Sequence, residues 1–327
     1  MSPSSSQPTS SNPSTRILVT GGAGFIGSHI VDKLVAHNYS VAVVDNLSTG
    51  DRDFVNPAAR FYKTSILDEG GLRRIFEAER PDFVYHQAAR VSVRESMQNP
   101  VLYAETNVVG SLVVLDMCRE YGVKKIIYAS TGGAVYGEPQ YLPVDEEHPV
   151  NPLDPYGASK HHVEHYLYLY RANYGLEYTV LRYANVYGPR QDPAGEAGVV
   201  AIFSERMLTG EPVTINGTGE QERDFVFVED VAEANWRALS GGDGRIYNVG
   251  TGIGSSVNSV FATLRGITAY RREPVCGPAK AGEVLKIRLD VDKAHRELGW
   301  QPTVTMAQGL GRTVEWFRRE FAERQLA

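Results

Sequence analysis

A glycine-rich segment between a strand-like run and a helix-like run restricts the fold of this chain more than any other feature. Residues 17–19 are apolar, residues 26–36 follow a helical pattern, and Gly21-Gly22-Ala23-Gly24-Phe25-Ile26-Gly27 joins them. Glycines at this point permit a tight turn and let the backbone approach a pyrophosphate, which then lies at the helix N-terminus. The preceding strand makes the motif more specific than glycine spacing alone. We therefore expect a dinucleotide site that includes Gly21, Gly24, Phe25, Ile26 and Gly27.

The rest of the first half alternates short apolar runs with longer helical patterns. Apolar runs at 41–44, 83–85, 125–129 and 179–183 indicate strands, and helical patterns occupy about 72–79 and 101–121. Continuous apolar strands separated by helices predict a parallel sheet covered on both faces. The expected fold class is α/β, a Rossmann-type doubly wound parallel sheet with a smaller, interleaved C-terminal substrate domain.

Composition along the chain suggests where the domains divide. Residues 1–15 are nearly all Ser, Pro, Thr, Asn and Gln, which predicts a disordered tail without the apolar core of a signal peptide. Residues 16–190 are expected to form the dinucleotide-binding domain. A loop-rich composition from Gly188 to Gly219 marks a boundary, so 191–327 is expected to be mainly the substrate domain. Strand-like runs near 225–250 are expected to return to the first domain.

Charge and cysteine content exclude some classes of function. The net charge of −6 gives no reason to expect nucleic acid or an anionic membrane as a partner. No run approaches the roughly 18 apolar residues of a membrane span. Cys118 and Cys276 are too few for a disulfide framework and fit a reducing cytosol, so a cytoplasmic location is expected.

Asp45 ends the second strand-like run, at about the offset expected for an acid that binds a ribose. Its carboxylate would accept hydrogen bonds from the adenosine ribose and repel a 2′-phosphate, which favours NAD over NADP. Capping of the following loop is the alternative role. Asn46, Ser48, Thr49 and Gly50 follow as candidate adenosine contacts.

A candidate catalytic pair lies in the segment Tyr156-Gly157-Ala158-Ser159-Lys160. A spacing of four residues places the tyrosine and lysine side chains on one face of a helix. A lysine ammonium there would stabilise the phenolate and lower a tyrosine pKa from its ordinary value of about 10. A phenolate beside a nicotinamide is a base for an alcohol that loses its hydride.

From Arg16 to the C-terminal region the chain resembles an extended short-chain dehydrogenase/reductase, and within it the UDP-glucose 4-epimerase group of the NAD-dependent epimerase/dehydratase family. The matching segments are Thr20 through Gly27, Asp45 through Gly50, His86-Gln87-Ala88-Ala89, Ser130 through Gly137, Tyr156 through Lys160, Arg182-Tyr183-Ala184-Asn185, Glu222-Arg223-Asp224-Phe225 and Glu297-Leu298-Gly299-Trp300.

The resemblance assigns further residues to the two ligands. At the cofactor it implies Ser65, Ile66, Gln87, Ala88, Ala89, Arg90, Tyr156, Lys160 and Tyr183, although the family commonly has Asp where Ser65 stands. At a sugar nucleotide it implies Ser92, Thr131, Tyr156, Asn185, Gly198, Val199, Val200, Thr214, Asn216, Arg223, Lys280 and Glu283. The family usually has Arg in place of Lys280, and lysine keeps the charge but loses the bidentate fork.

The third catalytic group is a hydroxyl whose position in this sequence departs from the family pattern. The resembling epimerases carry a Ser or Thr four residues before the Tyr of a Val-Tyr-Gly segment, and here that position is Gly132. We assign the hydroxyl role to Thr131, on the expectation that the loop bends to bring it to the sugar. Ser130 is the other candidate.

The activity that the resemblance implies is 4-epimerisation of UDP-glucose and UDP-galactose, with NAD and a transient 4-keto sugar. Epimerisation of UDP-glucuronate, with Arg190 or another base at the carboxylate, and of UDP-N-acetylhexosamines remain alternatives. Ile287 occupies the position that borders the C2 and C6 substituents of the sugar in the family. Its bulk neither clearly admits nor clearly excludes an N-acetyl group. A 4,6-dehydratase or a decarboxylase fits less well, because Gly132 and Gly133 replace the acids of those branches.

Two other expectations concern partners. A dinucleotide-binding redox sensor is the alternative from another class, but it predicts a degraded catalytic helix. The resemblance also implies a homodimer that pairs the helix of Tyr156 with the helix at 101–121, where Leu112, Val113 and Leu115 supply an apolar stripe. A metal site at His161, His162 and His165 is not expected, because no acidic general base accompanies them.

Overall fold

The computed structural model describes residues 15–194, 198–279 and 284–326. The expected tail, apart from Thr15, and the expected contacts Lys280 and Glu283 lie outside the described residues. The strands are β1 (Arg16–Thr20), β2 (Ser40–Asp45), β3 (Arg60–Lys63), β4 (Phe83–His86), β5 (Lys125–Thr131), β6 (Glu177–Tyr183), β7 (Asn185–Tyr187), β8 (Thr214–Asn216), β9 (Glu222–Phe227), β10 (Arg245–Val249), β11 (Gly254–Ser256) and β12 (Val275–Gly277).

Helices follow most of these strands. They are α1 (Phe25–Ala36), α2 (Glu69–Glu79), α3 (Val93–Gln98), α4 (Pro100–Tyr103), α5 (Gly110–Glu120), α6 (Pro155–Tyr174), α7 (Val199–Thr209), α8 (Val228–Ala238), α9 (Val257–Thr268), α10 (Asp292–Leu298) and α11 (Met306–Leu326). A 3-10 turn lies at Arg52–Phe54, and a π-helical turn at Ala104–Val109 joins α4 to α5.

The largest sheet has seven strands, in the order β10-β6-β5-β4-β1-β2-β3. All of its pairings are parallel, which confirms the predicted Rossmann-type α/β class. The carboxyl ends of β1, β4, β5 and β6 meet at one edge, where such folds bind ligands.

Both faces of the sheet are covered, as continuous apolar strands require. One face packs against α1, α8 and α10 through residues such as Leu34 and Trp236. The other face packs against α2, α5 and α6 through residues such as Phe76 and Val163.

Two parts of the sequence-based topology were wrong. The run at 225–228 does not join the large sheet: β9 pairs with β7 and β11 in a separate three-stranded sheet, and only β10 returns to pair with β6. The stretch from 188 to 219 is not simply loop, since it contains α7 and β8. The apolar face of α7 is buried with α9 and α11 in a second core, through Phe203, Phe261 and Val314.

The helical stretch Pro100–Glu120 is, by length and hydropathy alone, apolar enough to cross a membrane. Of its most apolar window, 44% is buried inside the protein. Its inner residues, such as Val114 and Leu115, pack in the core beside α2 and α6. Burial of Leu115 removes it from the predicted intermolecular stripe, while Leu112 and Val113 are only partly buried.

Candidate active site

The glycine loop has the geometry that a pyrophosphate needs. Gly21 adopts φ +70°, and a side chain there would lie 2.6 Å from the backbone nitrogen of Ala88. A Cβ on Gly27 would meet the Gly21 carbonyl oxygen at 2.1 Å, so both glycines are required. Gly24 is the N-cap of α1 and offers no capping side chain, which leaves the amides of Phe25 and Ile26 directed at the cleft.

Asp45 ends β2 beside this loop. Its Oδ2 accepts the Ala23 amide at 3.0 Å and its Oδ1 accepts the Leu47 amide at 2.8 Å. The acid therefore also caps the loop, as the alternative interpretation held, and this bonding fixes the carboxylate at the cleft. Asn46, Ser48 and Thr49 are exposed, and Gly50 packs closely against Ala23.

The segment Gln87–Arg90 follows β4 and touches the glycine loop. The Gln87 amide donates to the Thr20 carbonyl at 3.0 Å, and the Arg90 amide donates to Asn107 Oδ1 at 2.8 Å. Asn107 lies in the π-helical turn and also donates to Ser159 Oγ at 2.9 Å. One buried amide thus connects the cofactor-side loop with the helix that carries Tyr156.

His86 lies beneath this edge. Its Nδ1 is hydrogen-bonded with Thr20 Oγ1 at 2.6 Å and its Nε2 with Ser111 Oγ at 2.8 Å. Burial, together with the charge of Lys160, lowers the pKa of His86 to about 3. The imidazole is therefore neutral near pH 7 and serves as a bridge between β1 and α5.

Local sequence explains why α6 begins where the catalytic pair needs it. Asp154 is the N-cap and accepts the Gly157 amide at 2.7 Å, and Pro155 occupies the first turn. A side chain on Gly157 would approach the Ala134 carbonyl oxygen to 2.7 Å, so the glycine lets α6 lie close to the loop after β5. Tyr156 and Lys160 lie on the first turns of this helix.

The titration of the pair differs from the expectation. Burial raises the pKa of Tyr156 to about 12, although a hydrogen bond with Thr131 opposes the shift. Burial also lowers the pKa of Lys160 to about 7, opposed by the charge of Glu164. In the protein alone, removal from water thus outweighs the predicted stabilisation of the phenolate. The Lys160 amine lies 4.6 Å from the ring centre of Tyr128.

The loop after β5 distinguishes the two candidate hydroxyls. Thr131 is hydrogen-bonded with Tyr156, whereas Ser130 Oγ donates to Glu164 at 2.6 Å and is buried. A side chain at Gly132 would approach Leu289 Cδ1 to 2.5 Å, so a hydroxyl at the family's usual position would require the Leu289 side chain to move. The geometry favours Thr131 over Ser130, and the choice between them stays a prediction.

Gly133 leaves room for a side chain. A Cβ there would lie 3.8 Å from both Asn185 Oδ1 and Thr131 Oγ1, which is ordinary contact distance. Asn185 begins β7 and is partly buried, and its predicted contact with a sugar nucleotide remains a prediction.

Several cofactor-side residues have partners within the chain. The Tyr183 hydroxyl lies 3.1 Å from Asn235 Oδ1 and 3.4 Å from Gln87 Oε1. Ser65 Oγ accepts the Leu67 amide at 3.2 Å, and Ile66 packs against Gly110. These contacts give Tyr183 and Ile66 packing roles, and their proposed contacts with a cofactor remain predictions.

Several residues predicted to contact a sugar nucleotide lie on α7 and β8. Gly198 is the N-cap of α7, which directs the amides of Val199 and Val200 out of the helix end, although the Val200 side chain is buried in the core. Thr214 and Asn216 lie on β8, which pairs with β12. These places are compatible with a nucleotide and remain predictions.

Arg223 lies on β9 and is partly exposed. Its Nη1 donates to the Glu222 carbonyl at 2.8 Å. On the first domain, Ser92 is the N-cap of α3 and accepts the Glu95 amide at 3.0 Å. Their roles at a sugar nucleotide remain predictions.

Two side chains considered for sugar selectivity lie in well-packed surroundings. Arg190 Nη1 pairs with Asp32 at 2.8 Å, and its guanidinium lies 5.8 Å from the ring centre of Phe54. It therefore joins α1 to the 3-10 turn at Arg52–Phe54, and a contact between Arg190 and a sugar carboxylate remains a prediction. Ile287 is buried with Tyr136 and Val144.

Histidines on α6 also have local partners. His161 Nδ1 lies 3.3 Å from Glu164 Oε2, and His162 Nδ1 lies 2.6 Å from the Ala158 carbonyl. Within residues 15–194, 198–279 and 284–326, no group of three His, Cys, Asp or Glu side chains is arranged to hold a metal.

Sequence reasoning missed three residues that organise this site: Asn107, His86 and Glu164. Asn107 follows Glu105 and Thr106 as a polar interruption of a largely apolar helical run, and Glu164 falls one helical turn after Lys160. Both residues could have been noticed in the sequence, but the residues that they contact come from distant parts of the chain. His86 lies within one of the segments that match the family, but the resemblance implies no role for it.

A doubly wound sheet with a tyrosine–lysine pair at its carboxyl edge defines the short-chain dehydrogenase/reductase class of dinucleotide proteins. Within that class, the model of the NAD dependent epimerase/dehydratase family matches residues 17–250. The chain belongs to this family.

Relatives cover nearly the whole chain. The structure of UDP-glucose 4-epimerase from Thermotoga maritima with UDP-glucose is 54% identical, with a TM-score of 0.92, and the match covers 93% of this chain and 99% of that one. The Thermus thermophilus UDP-glucose 4-epimerase in complex with NAD is 46% identical, with a TM-score of 0.88 and the same coverage. The UDP-glucose 4-epimerase of Mycolicibacterium smegmatis is 43% identical over 311 residues, 93% of this chain and 99% of that protein.

Proposed function

We propose that this protein is a UDP-glucose 4-epimerase that uses bound NAD and interconverts UDP-glucose and UDP-galactose. The observation that carries the proposal is the hydrogen-bonded pair of Tyr156 and Thr131, at the same edge of the sheet as the glycine loop. Relatives of 43–54% identity that bear this name match almost the full chain.

The residues present fit a dinucleotide. Gly21 and Gly27 leave a cradle that a Cβ would fill, and Asp45 presents a fixed carboxylate where a ribose would lie. When bound, NAD supplies a hydride acceptor and donor for C4 of the sugar. The chain's own part is to orient the dinucleotide and to keep water from the reacting carbon.

Proton transfer is the task of the side chains. Tyr156 takes the proton from the 4-hydroxyl, and Thr131 holds the phenolic oxygen and the sugar oxygen in line. Lys160 supplies positive charge near the phenolate, which favours its ionised form. When the 4-keto sugar has turned over, the same phenol returns the proton to the 4-oxygen. The hydride would return from a bound NADH to the opposite face of C4, which would invert the configuration without net oxidation.

Incubation with UDP-galactose, UDP-N-acetylgalactosamine and UDP-galacturonate in separate reactions tests the proposal. We expect UDP-galactose to give UDP-glucose without net formation of NADH. Preferential turnover of either other sugar would reassign the substrate. NADH accumulation without epimerised sugar, or binding without turnover, would contradict the proposal and favour the redox sensor.

The cofactor gives a separate prediction. NAD should be released when the purified protein is denatured, and Asp45→Ala should reduce the preference for NAD over NADP. Like charges a few ångströms apart repel by about 1–4 kcal/mol, so the preference should fall about tenfold or more. Competitive binding of the two nucleotides measures it.

Asp45→Asn is the matched control, because it removes the charge but keeps an acceptor for the loop amides. It should relax the preference as Asp45→Ala does, with less loss of NAD affinity. Release of NADP alone from the native protein would contradict the cofactor assignment.

Assembly and location are further parts of the proposal. Two copies would associate through the outer faces of α6 and the helical stretch Pro100–Glu120, where Val101 and Val109 are 68% and 48% exposed. Exposed apolar residues on neighbouring helices are typical of a homodimer interface. Light scattering in solution measures the mass, and a monomer would exclude this arrangement.

Residues 16–190 with β10 are proposed as the NAD-binding domain and 191–327 mainly as the substrate domain. A cytoplasmic location is consistent with the two free cysteines, Cys118 and Cys276.

A further inference from the structure

A buried acid lies one helical turn beyond Lys160. Glu164 is 5% exposed and faces the ends of β5 and β6. Its Oε1 accepts Ser130 Oγ at 2.6 Å and Arg182 Nε at 3.0 Å, and its Oε2 accepts Arg182 Nη2 at 2.6 Å. This carboxylate therefore ties α6 to the neighbouring strands β5 and β6.

Arg182 is equally buried and belongs to a longer chain of contacts. Its Nη1 donates to the Tyr136 hydroxyl at 2.9 Å, which in turn donates to Asn248 Oδ1 at 2.7 Å. Tyr136 lies in the loop after Thr131, so Arg182 holds this loop from the far side. Ser130, near the end of β5, and Tyr136, five residues after Thr131, are therefore both attached to one buried ion pair.

Glu164 keeps its charge throughout the working range of an enzyme. Burial raises its pKa, but hydrogen bonds from His161, Arg182 and Ser130 and the charge of Arg182 prevail and lower it to about 2. The same negative charge raises the pKa of Lys160 against the effect of burial. The charged and titratable groups around the two side chains are His86 and Tyr128 at Lys160, and His161, Arg182, Tyr128 and Tyr178 at Glu164.

We propose that Glu164 is a positioning residue of the epimerase reaction: it anchors the end of β5 so that Thr131 meets Tyr156, and it places a permanent negative charge one turn from Lys160. The inference rests on the proposed function. A buried ion pair that serves only folding would leave the pH dependence of catalysis unchanged, and this difference makes the two roles separable.

The test compares Glu164→Gln with Glu79→Gln in the NAD-bound protein. Glu79 is a matched control, because it is a buried acid on α2 that accepts Arg60 Nε at 2.7 Å and the Tyr62 hydroxyl at 2.6 Å, far along the sheet from α6. Both variants should lose stability. Only Glu164→Gln should lower kcat, by about 10–100-fold as expected for a misplaced reacting group, with KM little changed.

The pH profile adds a readout that stability does not affect. Because Glu164 raises the pKa of Lys160, its neutralisation should lower that pKa, and the alkaline fall in activity should move to lower pH. Glu79→Gln should keep the profile of the native protein. If Glu164→Gln loses stability but retains native kcat and the native pH profile, the proposal is overturned.

Glu164→Asp decides the question if Glu164→Gln does not fold. Its charge is retained but its shorter side chain cannot reach Ser130 and Arg182 together, so kcat should fall while the pH profile stays near that of the native protein. Native kcat in Glu164→Asp would overturn the positioning role.

Failure of the proposed function is recognisable separately, since the native protein would then not convert UDP-galactose. In that case NMR titration of isotope-labelled lysine, assigned with Lys160→Ala, still tests the charge effect. An unchanged Lys160 titration in Glu164→Gln, or in Glu164→Gln/Arg182→Met if the first is unfolded, would overturn it.

Discussion

Tyr156→Phe is expected to lower kcat for the interconversion of UDP-galactose and UDP-glucose by at least about 10²–10⁴-fold, the contribution of a positioned proton-transfer group. The change removes one oxygen and keeps the ring, so the packing of α6 and the glycine loop should survive. Steady-state kinetics measures the loss, and the NAD released on denaturation shows whether the cofactor site is intact.

Tyr170→Phe is the control for this prediction. Tyr170 lies on the same helix, and its hydroxyl donates to Asp116 at 2.9 Å, away from the catalytic loop. It should retain native kcat. Near-native activity in Tyr156→Phe would exclude the mechanism proposed for this protein.

Two substitutions at residues near Tyr156 test the same mechanism further. Thr131→Val should be milder than Tyr156→Phe, because water can partly replace a hydroxyl that only orients and shares a proton. Lys160→Ala should move the rise of activity to higher pH, since a phenol without the nearby ammonium ionises at higher pH. A silent Thr131→Val would return attention to Ser130, despite its bond to Glu164.

Arg223→Ala is expected to raise KM for the UDP-sugar by about 10–100-fold, with much less effect on bound NAD. Loss of a hydrogen bond to a charged group costs about 1.5–3 kcal/mol, and Arg223 should contact the substrate's phosphates while the glycine loop holds those of the cofactor. Initial-rate kinetics and the NAD content of the purified variant measure the two effects.

Arg312→Ala provides the comparison for Arg223. Arg312 is half exposed and pairs with Glu229 at 2.9 Å, so its loss should leave KM unchanged. Equal loss of substrate and cofactor binding in Arg223→Ala would show that Arg223 does not contact the sugar nucleotide.

The predictions that succeeded for the fold depend on short-range patterns. Apolar runs gave the parallel strands, and the glycine spacing gave the turn into α1, because backbone conformation and burial on two faces act on neighbouring residues. The run at 225–228 shows the limit of such patterns. A β-rich run predicts a strand but not the strand it pairs with, and β9 pairs with β7 and β11 instead of joining the large sheet.

The catalytic loop shows the same limit at the level of single residues. Family spacing pointed to Gly132, and the sequence offered both Ser130 and Thr131. Only tertiary packing distinguishes these positions. Leu289 lies against Gly132, and Ser130 is hydrogen-bonded to Glu164. The sequence likewise offered Arg190 as a partner for a sugar carboxylate, and the fold pairs its guanidinium with Asp32.

The sequence by itself determined the α/β class, the dinucleotide loop, the acid at the end of β2 and the tyrosine–lysine pair on one helix face. Each follows from residues within a turn or a strand of one another, whose relative positions the local backbone sets. Tertiary structure alone decided that Glu164 and Arg182 join beneath the catalytic loop and that Thr131 meets Tyr156. Those residues are 18 or more positions apart, and their meeting depends on strand register and helix packing across the whole domain.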